Sequence, residues 1–298
     1  MSVQISHIQP ARLPPLATCV ELLKPITWFP PMWAYGCGVV SSGADVLQNW
    51  GLVAVGVVLC GPLVCGTSQA VNDWYDRHVD AINEPQRPIP SGRIPGKWGL
   101  YIAIGWTAVS LLVATMLGPW GFAATVLGLL LAWLYSAPPV RLKMNGWWGN
   151  AACGACYEGL PWVTGAAVLT AAAPDWKVLA VAGLYSLGAH GIMTLNDFKA
   201  IDGDRAMGIR SLPAALGPDL ACRVAAGFMT HSQIAVIGLL LVWGHAYHAA
   251  AVAILLALQI GMMTRLGRDP IRHALWYSGF GVPLFVIGML ITAFAIAP

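Results

Sequence analysis

Two short segments hold the polar residues whose types and spacing are suited to metal binding and catalysis. In the first, Asn72, Asp76 and Asp80 follow at four-residue intervals, which places them on one face of a helix. In the second, Asp197 and Asp204 are seven residues apart and also share a helical face. Carboxylates stacked in this way repel one another, so a positive ligand is expected between them. Mg²⁺ is the natural candidate, because it takes one or two carboxylates and completes its shell with water and phosphate oxygens.

The two segments are alike in composition and order. Each opens with Asn-Asp at the end of an apolar stretch, continues with further acids and reaches an arginine that leads into proline. Four predicted transmembrane spans separate corresponding positions of the two segments. Because this number is even, both segments lie on one membrane face, as in a parallel internal repeat. We therefore predict two catalytic loops on that face, 72–97 and 197–218. In the alternative, the acids are solvated helix ends that pair with the arginines of the same loops, Arg77, Arg87, Arg205 and Arg210.

The composition indicates which elements must hold these loops. The 298 residues are 57% hydrophobic and 10% charged, with a mean hydropathy of +0.67, whereas a soluble domain carries about 25% charged residues. This excludes a water-soluble enzyme and a disordered or fibrous chain. We predict one polytopic all-α membrane domain (1–298) with nine transmembrane helices. The predicted spans are 26–44, 50–71, 98–117, 119–136, 147–172, 177–196, 219–244, 246–264 and 273–297.

The basic residues predict the orientation of the chain in the membrane. When the 16 lysines and arginines are sorted by loop, Lys177 alone falls on one side and all the others on the opposite side. The positive-inside rule then places the N-terminal segment 1–20 and both catalytic loops in the cytoplasm. The first 15 residues hold no continuous apolar run, so no cleavable secretory signal is expected. We predict a bacterial inner membrane, of the intracytoplasmic photosynthetic type, as the location.

Four stretches carry a resemblance to a known family. They read NDWYDRHVD at 72–80, DFKAIDGDR at 197–205, LLKPITWFPPMWA at 22–34 and YSAPPVRLK at 135–143. The first two resemble the aspartate-rich motifs of the UbiA-type intramembrane prenyltransferases. All four are similar to the branch that contains the chlorophyll and bacteriochlorophyll synthases. The resemblance implies nine transmembrane helices around a central cavity, with Mg²⁺ and a prenyl diphosphate held under a cytoplasmic cap.

The resemblance also implies roles for individual residues. The catalytic set would be Asn72, Asp76, Asp80, Asp197 and Asp204, and the Mg²⁺ ligands would be these five together with Asp73 and Asn196. The diphosphate would be bound by Arg77, Tyr135, Lys143, Lys199, Arg205 and Arg210, since cations stabilise charge on the leaving group. Many family members have a further aspartate where this chain has Ala200. The second site is therefore one carboxylate short, and Asp202 would replace it only through a bent loop at Gly203.

The reaction implied is transfer of a geranylgeranyl or phytyl group from its diphosphate to the propionate of bacteriochlorophyllide a. A carboxylate is already ionised at neutral pH, so no general base is required. Other acceptors stay open: chlorophyllide, bacteriochlorophyllide c, haem or an aromatic quinone precursor. A membrane transporter and a non-catalytic pigment-binding protein are the alternatives from other classes. The expected partners are the lipid bilayer and, as a candidate class, photosynthetic assembly factors, but not nucleic acid.

A few residues are candidates for contact with the tetrapyrrole. Glu158 is an acid inside a predicted span, where ionisable groups often mark a functional path; a hydrogen-bonded structural role is the alternative. His190 and Trp28 are assigned to the same cavity, while His231 and His273 are further candidates for the pigment's central Mg. Among the seven cysteines, Cys153 and Cys156 have CxxC spacing without a matching second pair. They are therefore expected to pack as small apolar residues.

Overall fold

The computed structural model describes residues 13–298 and is helical throughout this range, apart from turns and one isolated β-bridge. Residues 1–12, most of the predicted N-terminal segment, lie outside the described part. The α-helices, numbered in chain order, are α1 Leu16–Leu22, α2 Phe29–Ser41, α3 Trp50–Val58, α4 Gly66–Asn83, α5 Trp98–Ala114, α6 Gly118–Ser136, α7 Gly146–Gly154, α8 Leu160–Thr170, α9 Trp176–Asp197, α10 Ile201–Ala206, α11 Leu212–Leu216, α12 Pro218–Val242, α13 Ala246–Leu266 and α14 Pro270–Ile296.

Local sequence explains where the helices that carry the acidic segments begin and end. The Asp175 side chain accepts a hydrogen bond from the Lys177 amide at 2.7 Å and so caps the start of α9. The helix α4 ends at Asn83, because the next residue, Glu84, precedes Pro85 and is disfavoured from helical geometry. Both acidic segments thus lie at the ends of long helices.

Two π-helical segments interrupt the helical pattern inside the bundle. Leu59–Cys65 joins α3 to α4, and Ala155–Gly159 joins α7 to α8. Pro62 lies in the first of them and lacks the amide that an α-helix would use. Such widened turns are frequent at functional sites, and both line the apolar chamber described below.

Six helical segments of residues 13–298 are long and apolar enough to cross a membrane, as in a multi-pass membrane protein. They are Trp50–Ile82, Trp98–Ser136, Trp176–Ala206, Pro218–Val242, Ala246–Leu266 and Pro270–Ile296. The predicted number of nine is not confirmed. The first predicted span contains only the 13 residues of α2 in α-helical form, the third and fourth fall in one segment, and the fifth is interrupted by a π-helix.

Small residues let the central helices approach closely. An added Cβ at Gly38 would lie 2.0 Å from the Trp162 carbonyl oxygen, and one at Gly165 would lie 2.4 Å from that of Tyr35. The backbones of α2 and α8 are therefore in direct contact, which is typical of helix packing in membranes. Between α12 and α13, the fully buried amides of Gln233 and Gln259 donate to each other at 3.2 and 2.9 Å.

Candidate active site

The two acidic segments line one polar cavity at the end of the helical bundle. Its volume is about 710 Å³, and the ends of α4, α6 and α9 meet there with the start of α7. The lining includes the acids Asp76, Asp80, Glu84, Asp197, Asp202 and Asp204, the amides Asn72, Asn150 and Asn196, and the cations Arg87, Lys143 and Lys199. The segments that the sequence pairs as a repeat therefore face each other across one space.

The helix α4 presents its expected face to this cavity. Asn72 Nδ2 donates to Asp76 Oδ2 at 3.0 Å and to the Ser136 hydroxyl on α6 at 3.3 Å. Asp76 is paired with the Lys143 ammonium, and Arg141 lies 3.7 Å from the same carboxylate oxygen. These cations supply positive charge beside the stacked acids.

A break in the second segment brings more acids to the cavity than one helical face allows. The helix α9 ends at Asp197, a 3₁₀ turn covers Phe198–Ala200, and α10 starts at Ile201 after the non-helical backbone of Ala200 (φ −109°, ψ 3°). As a result Asp202 lines the cavity together with Asp204, which accepts a hydrogen bond from Ser211 at 2.5 Å. The bend that would allow Asp202 to reach the site is present, and it begins before Gly203.

Three cations line the cavity, and one of them was missing from the predicted set. Lys143 and Lys199 were expected there, whereas Arg87 was considered only as a salt-bridge partner of the loop. Arg87 lies seven residues after Asp80 and directly before Pro88. Its position in the loop directly after the first acidic segment was the available signal. The guanidinium nitrogen Nη1 lies 2.8 Å from Asp80 Oδ2, and Nη2 contacts Glu84.

The pKa values of two of these cations are shifted in opposite directions. Burial lowers the pKa of the Lys143 ammonium, although the Asp76 carboxylate opposes this. Burial also acts to lower the pKa of Arg87, but the charges of Asp73, Asp80 and Glu84 outweigh it and raise that pKa. Arg87 therefore remains a fixed positive charge on the cavity wall.

Four of the residues predicted to bind Mg²⁺ or the diphosphate do not line the cavity. Asp73 is buried and is paired with Lys24. Arg77 turns back on its own helix, where it donates to the Trp74 carbonyl at 2.7 Å and lies over the indole ring. Arg205 is exposed and donates to the Ala214 carbonyl, and the exposed Arg210 bonds through its backbone to Met144 and Gly146. The direction of each side chain, rather than its place in the motif, excludes it from the lining.

A narrow apolar chamber adjoins the polar cavity and shares Tyr135 with it. The chamber, of about 40 Å³, is lined by α6 and by both π-helical segments. The cysteines Cys60, Cys65, Cys153 and Cys156 contribute to its wall. The CxxC pair thus lines an apolar space, and no three His, Cys, Asp or Glu side chains within 13–298 form a ready-made metal cage.

The sequence model of the UbiA prenyltransferase family matches residues 25–285. The chain belongs to this family. The match covers both acidic segments and most of the helical bundle, and it includes the residues that line the polar cavity.

Characterised relatives are similar over nearly the full length. The 33 kDa chain of bacteriochlorophyll synthase from Cereibacter sphaeroides is 58% identical over 296 residues, which is 99% of this chain and 98% of that protein. The 34 kDa chain of the Chloroflexus aurantiacus synthase is 44% identical, covering 98% of this chain and 94% of that protein. Chlorophyll synthase of Oryza sativa is 40% identical over 93% of this chain and 76% of that protein.

Solved structures of other family members share the fold. A digeranylgeranylglyceryl phosphate synthase superimposes with a TM-score of 0.69 at 22% identity, over 95% of this chain and 98% of the other. A UbiA homologue from Archaeoglobus fulgidus, solved with DMAPP and Mg²⁺, gives a TM-score of 0.68 at 20% identity, over 94% and 98%. The helical bundle is therefore a UbiA-like fold.

The donor groups of the cavity suit a divalent cation that is completed by substrate. Mg²⁺ in such sites uses one or two carboxylates together with phosphate oxygens and water, so it does not require a cage of three protein acids. Asp76, Asp80, Asp197 and Asp204 all offer carboxylate oxygens to the same space. The residues present fit Mg²⁺ when a diphosphate shares its coordination.

The residues predicted to contact the tetrapyrrole lie elsewhere in the bundle. Glu158 is 3% exposed, and its Oε2 has no hydrogen-bond partner among residues 13–298. His190 is stacked on Phe228 with ring centroids 4.3 Å apart, and its Nε2 lies 3.2 Å from the Trp147 carbonyl oxygen. The Trp28 indole donates to the Leu23 carbonyl. None of the three predicted residues lines the polar cavity.

The two further histidine candidates bond within their own chain segments. The His231 and His273 Nδ1 atoms lie 2.7 and 3.1 Å from the carbonyl oxygens of Gly227 and Asp269. Each contact joins residues four apart, as on one turn of a helix.

Proposed function

We propose that the protein is a bacteriochlorophyll synthase. It transfers a geranylgeranyl or phytyl group from the diphosphate to the propionate of bacteriochlorophyllide a. The observation that carries the proposal is 58% identity over 99% of the chain to a protein of that name. The polar cavity supports it, because acids and cations suited to a metal diphosphate line one space next to an apolar chamber.

The cavity acids hold the cofactor in this proposal. Asn72, Asp76 and Asp80 serve from α4, and Asp197 and Asp204 serve from the second segment, with Asn196 beside them. Bound Mg²⁺ would neutralise charge on the diphosphate, which is where the barrier to ionisation lies. Asp202 supplies the carboxylate that is lacking at Ala200.

The cations act directly on the leaving group. Lys143, Lys199 and Arg87 line the cavity and are the side chains that can contact diphosphate oxygens. Lys143 now pairs with Asp76. On substrate binding it exchanges this carboxylate for the diphosphate. Tyr135 lies where the polar cavity meets the apolar chamber, a position suited to the junction of diphosphate and prenyl chain.

The chemical step is a substitution at C1 of the allylic chain. A propionate oxygen forms a bond to C1 as the bond from C1 to the diphosphate oxygen breaks, and the diphosphate leaves with the electron pair. The acceptor is already a carboxylate, so no proton has to be removed. The protein's contribution is to orient the two reactants and to stabilise charge on the departing group.

The membrane arrangement completes the proposal. Nine transmembrane helices surround the cavity, and the active-site loops and the N-terminus face the cytoplasm of a photosynthetic bacterium. This orientation is supported by the basic residues, of which the predicted spans assign Lys177 alone to the opposite side. Contacts of Glu158, His190 and Trp28 with the macrocycle stay predictions, and assembly factors of the photosynthetic membrane are candidate partners.

Product analysis tests the proposal. The purified protein is incubated with Mg²⁺, geranylgeranyl diphosphate and equal amounts of bacteriochlorophyllide a and chlorophyllide a, and the esters are measured by mass spectrometry. We expect the bacteriochlorophyllide ester to predominate and to disappear with EDTA or in D76N. Predominant chlorophyllide ester would favour the activity named for the Oryza sativa relative, and no ester of either pigment would refute the proposal.

A further inference from the structure

Asp73 occupies a position that the acidic motif alone does not explain. It follows Asn72 directly, but its side chain is only 1% exposed and does not line the cavity. One oxygen, Oδ1, lies 2.7 Å from Lys24 Nζ and 3.4 Å from Arg87 Nη1. The other, Oδ2, is buried and has no hydrogen-bond partner among the described residues. Asp73 is thus a buried acid held by two cations.

Arg87 connects this buried acid to the cavity. The same nitrogen, Nη1, that contacts Asp73 lies 2.8 Å from Asp80 Oδ2, and both Arg87 and Asp80 line the cavity. One guanidinium is therefore shared between a carboxylate outside the cavity and a carboxylate inside it. A guanidinium has a rigid planar fork, so pulling it towards one partner moves it away from the other.

We propose that Asp73 is a positioning residue for Arg87 and not a metal ligand. Arg87 is bonded to Asp80, and the charge of Asp73 on the same guanidinium nitrogen weakens that bond, so a divalent cation can displace Arg87 from Asp80. Without the Asp73 charge, Arg87 keeps only Asp80 and Glu84 as acidic partners and competes more strongly with the cation for Asp80. Lys24 moderates the effect, because it shares the same Asp73 oxygen with Arg87. The inference rests on the proposed use of Asp80 as a Mg²⁺ ligand.

Binding of Mn²⁺ alone to the full-length protein, followed by electron paramagnetic resonance, tests this without turnover. We expect D73N to raise the Kd for Mn²⁺ about tenfold, equivalent to about 1.4 kcal/mol. The double variant D73N/R87Q should return to within about threefold of wild type, since the competing cation is removed. If Asp73 were a ligand, the double variant would bind Mn²⁺ as weakly as D73N, and that result would overturn the proposal.

A second variant, K24M, tests the proposal independently of whether D73N folds. In K24M, Asp73 keeps its charge and has Arg87 as its remaining ion-pair partner, so Arg87 is drawn further from Asp80. We expect K24M to bind Mn²⁺ at least as tightly as wild type, the opposite direction to D73N. Weaker binding in K24M, or unchanged binding in a folded D73N, contradicts the proposal. If Mn²⁺ binding follows the expected pattern but the wild-type protein forms no ester, the proposed function is refuted and the positioning role of Asp73 is not.

Discussion

Replacing Lys143 with glutamine tests whether this ammonium group acts on the leaving diphosphate. Lys143 is 9% exposed, lines the polar cavity and pairs with Asp76. Glutamine keeps a hydrogen-bond donor near Asp76 but removes one positive charge from the cavity. We expect K143Q to fold, because Arg141 lies 3.7 Å from the same carboxylate and remains as its counter-ion.

The expected loss in kcat/KM for the prenyl diphosphate is about 10²–10³-fold, the usual cost of removing one preorganised donor from a developing negative charge. Because Lys143 is buried, little water can reach its ammonium group to replace the lost charge, so we expect the loss in kcat/KM to reach this range. A lysine that only neutralised Asp76 would give a different result. In that case K143Q would turn over at close to the wild-type rate and would bind Mg²⁺ more tightly, because Asp76 would be freed.

The assay is steady-state ester formation at saturating Mg²⁺ and acceptor with geranylgeranyl diphosphate varied. K97Q serves as the matched control, because Lys97 is an exposed lysine near the same end of the bundle that does not line the cavity. We expect K97Q to stay within about twofold of wild type, as surface substitutions usually do. A loss of less than threefold in K143Q, with an unchanged Tm, would refute the assigned role.

Two further predictions concern the packing of the bundle. The side-chain amides of Gln233 and Gln259 satisfy each other, so Q259L should lower the free energy of unfolding by about 1–3 kcal/mol. The double variant Q233L/Q259L should lose less than twice this amount, because neither amide is then left without its partner. Additive losses in thermal unfolding would contradict the pairing. G38A should abolish or severely reduce folded protein in membranes, because its Cβ would lie 2.0 Å from the Trp162 carbonyl oxygen. The control G36A has no atom within 4 Å of the added Cβ and should express normally; equal yields of the two variants would refute the close contact.

Much of the site was readable from residue spacing. The intervals from Asn72 to Asp76 and Asp80 predict a shared helical face, and α4 presents all three to the cavity. The apolar stretches predict a helical membrane bundle, because a bilayer requires long segments whose backbone hydrogen bonds are internally satisfied. Helical period and bilayer thickness are properties of the local chain, so they can be inferred without knowing what the helices pack against.

The roles of individual charges depend on packing between distant segments. Asp73 and Asp80 are both motif acids, but Lys24 approaches the first from the start of the chain and only the second lines the cavity. Arg77 and Arg87 lie in the same predicted loop, but a neighbouring indole holds the first away from the cavity. The bend after Asp197 brings Asp202 to the site, which a continuous helix would not. A long charged side chain has several accessible directions, and the neighbours supplied by the folded bundle select among them.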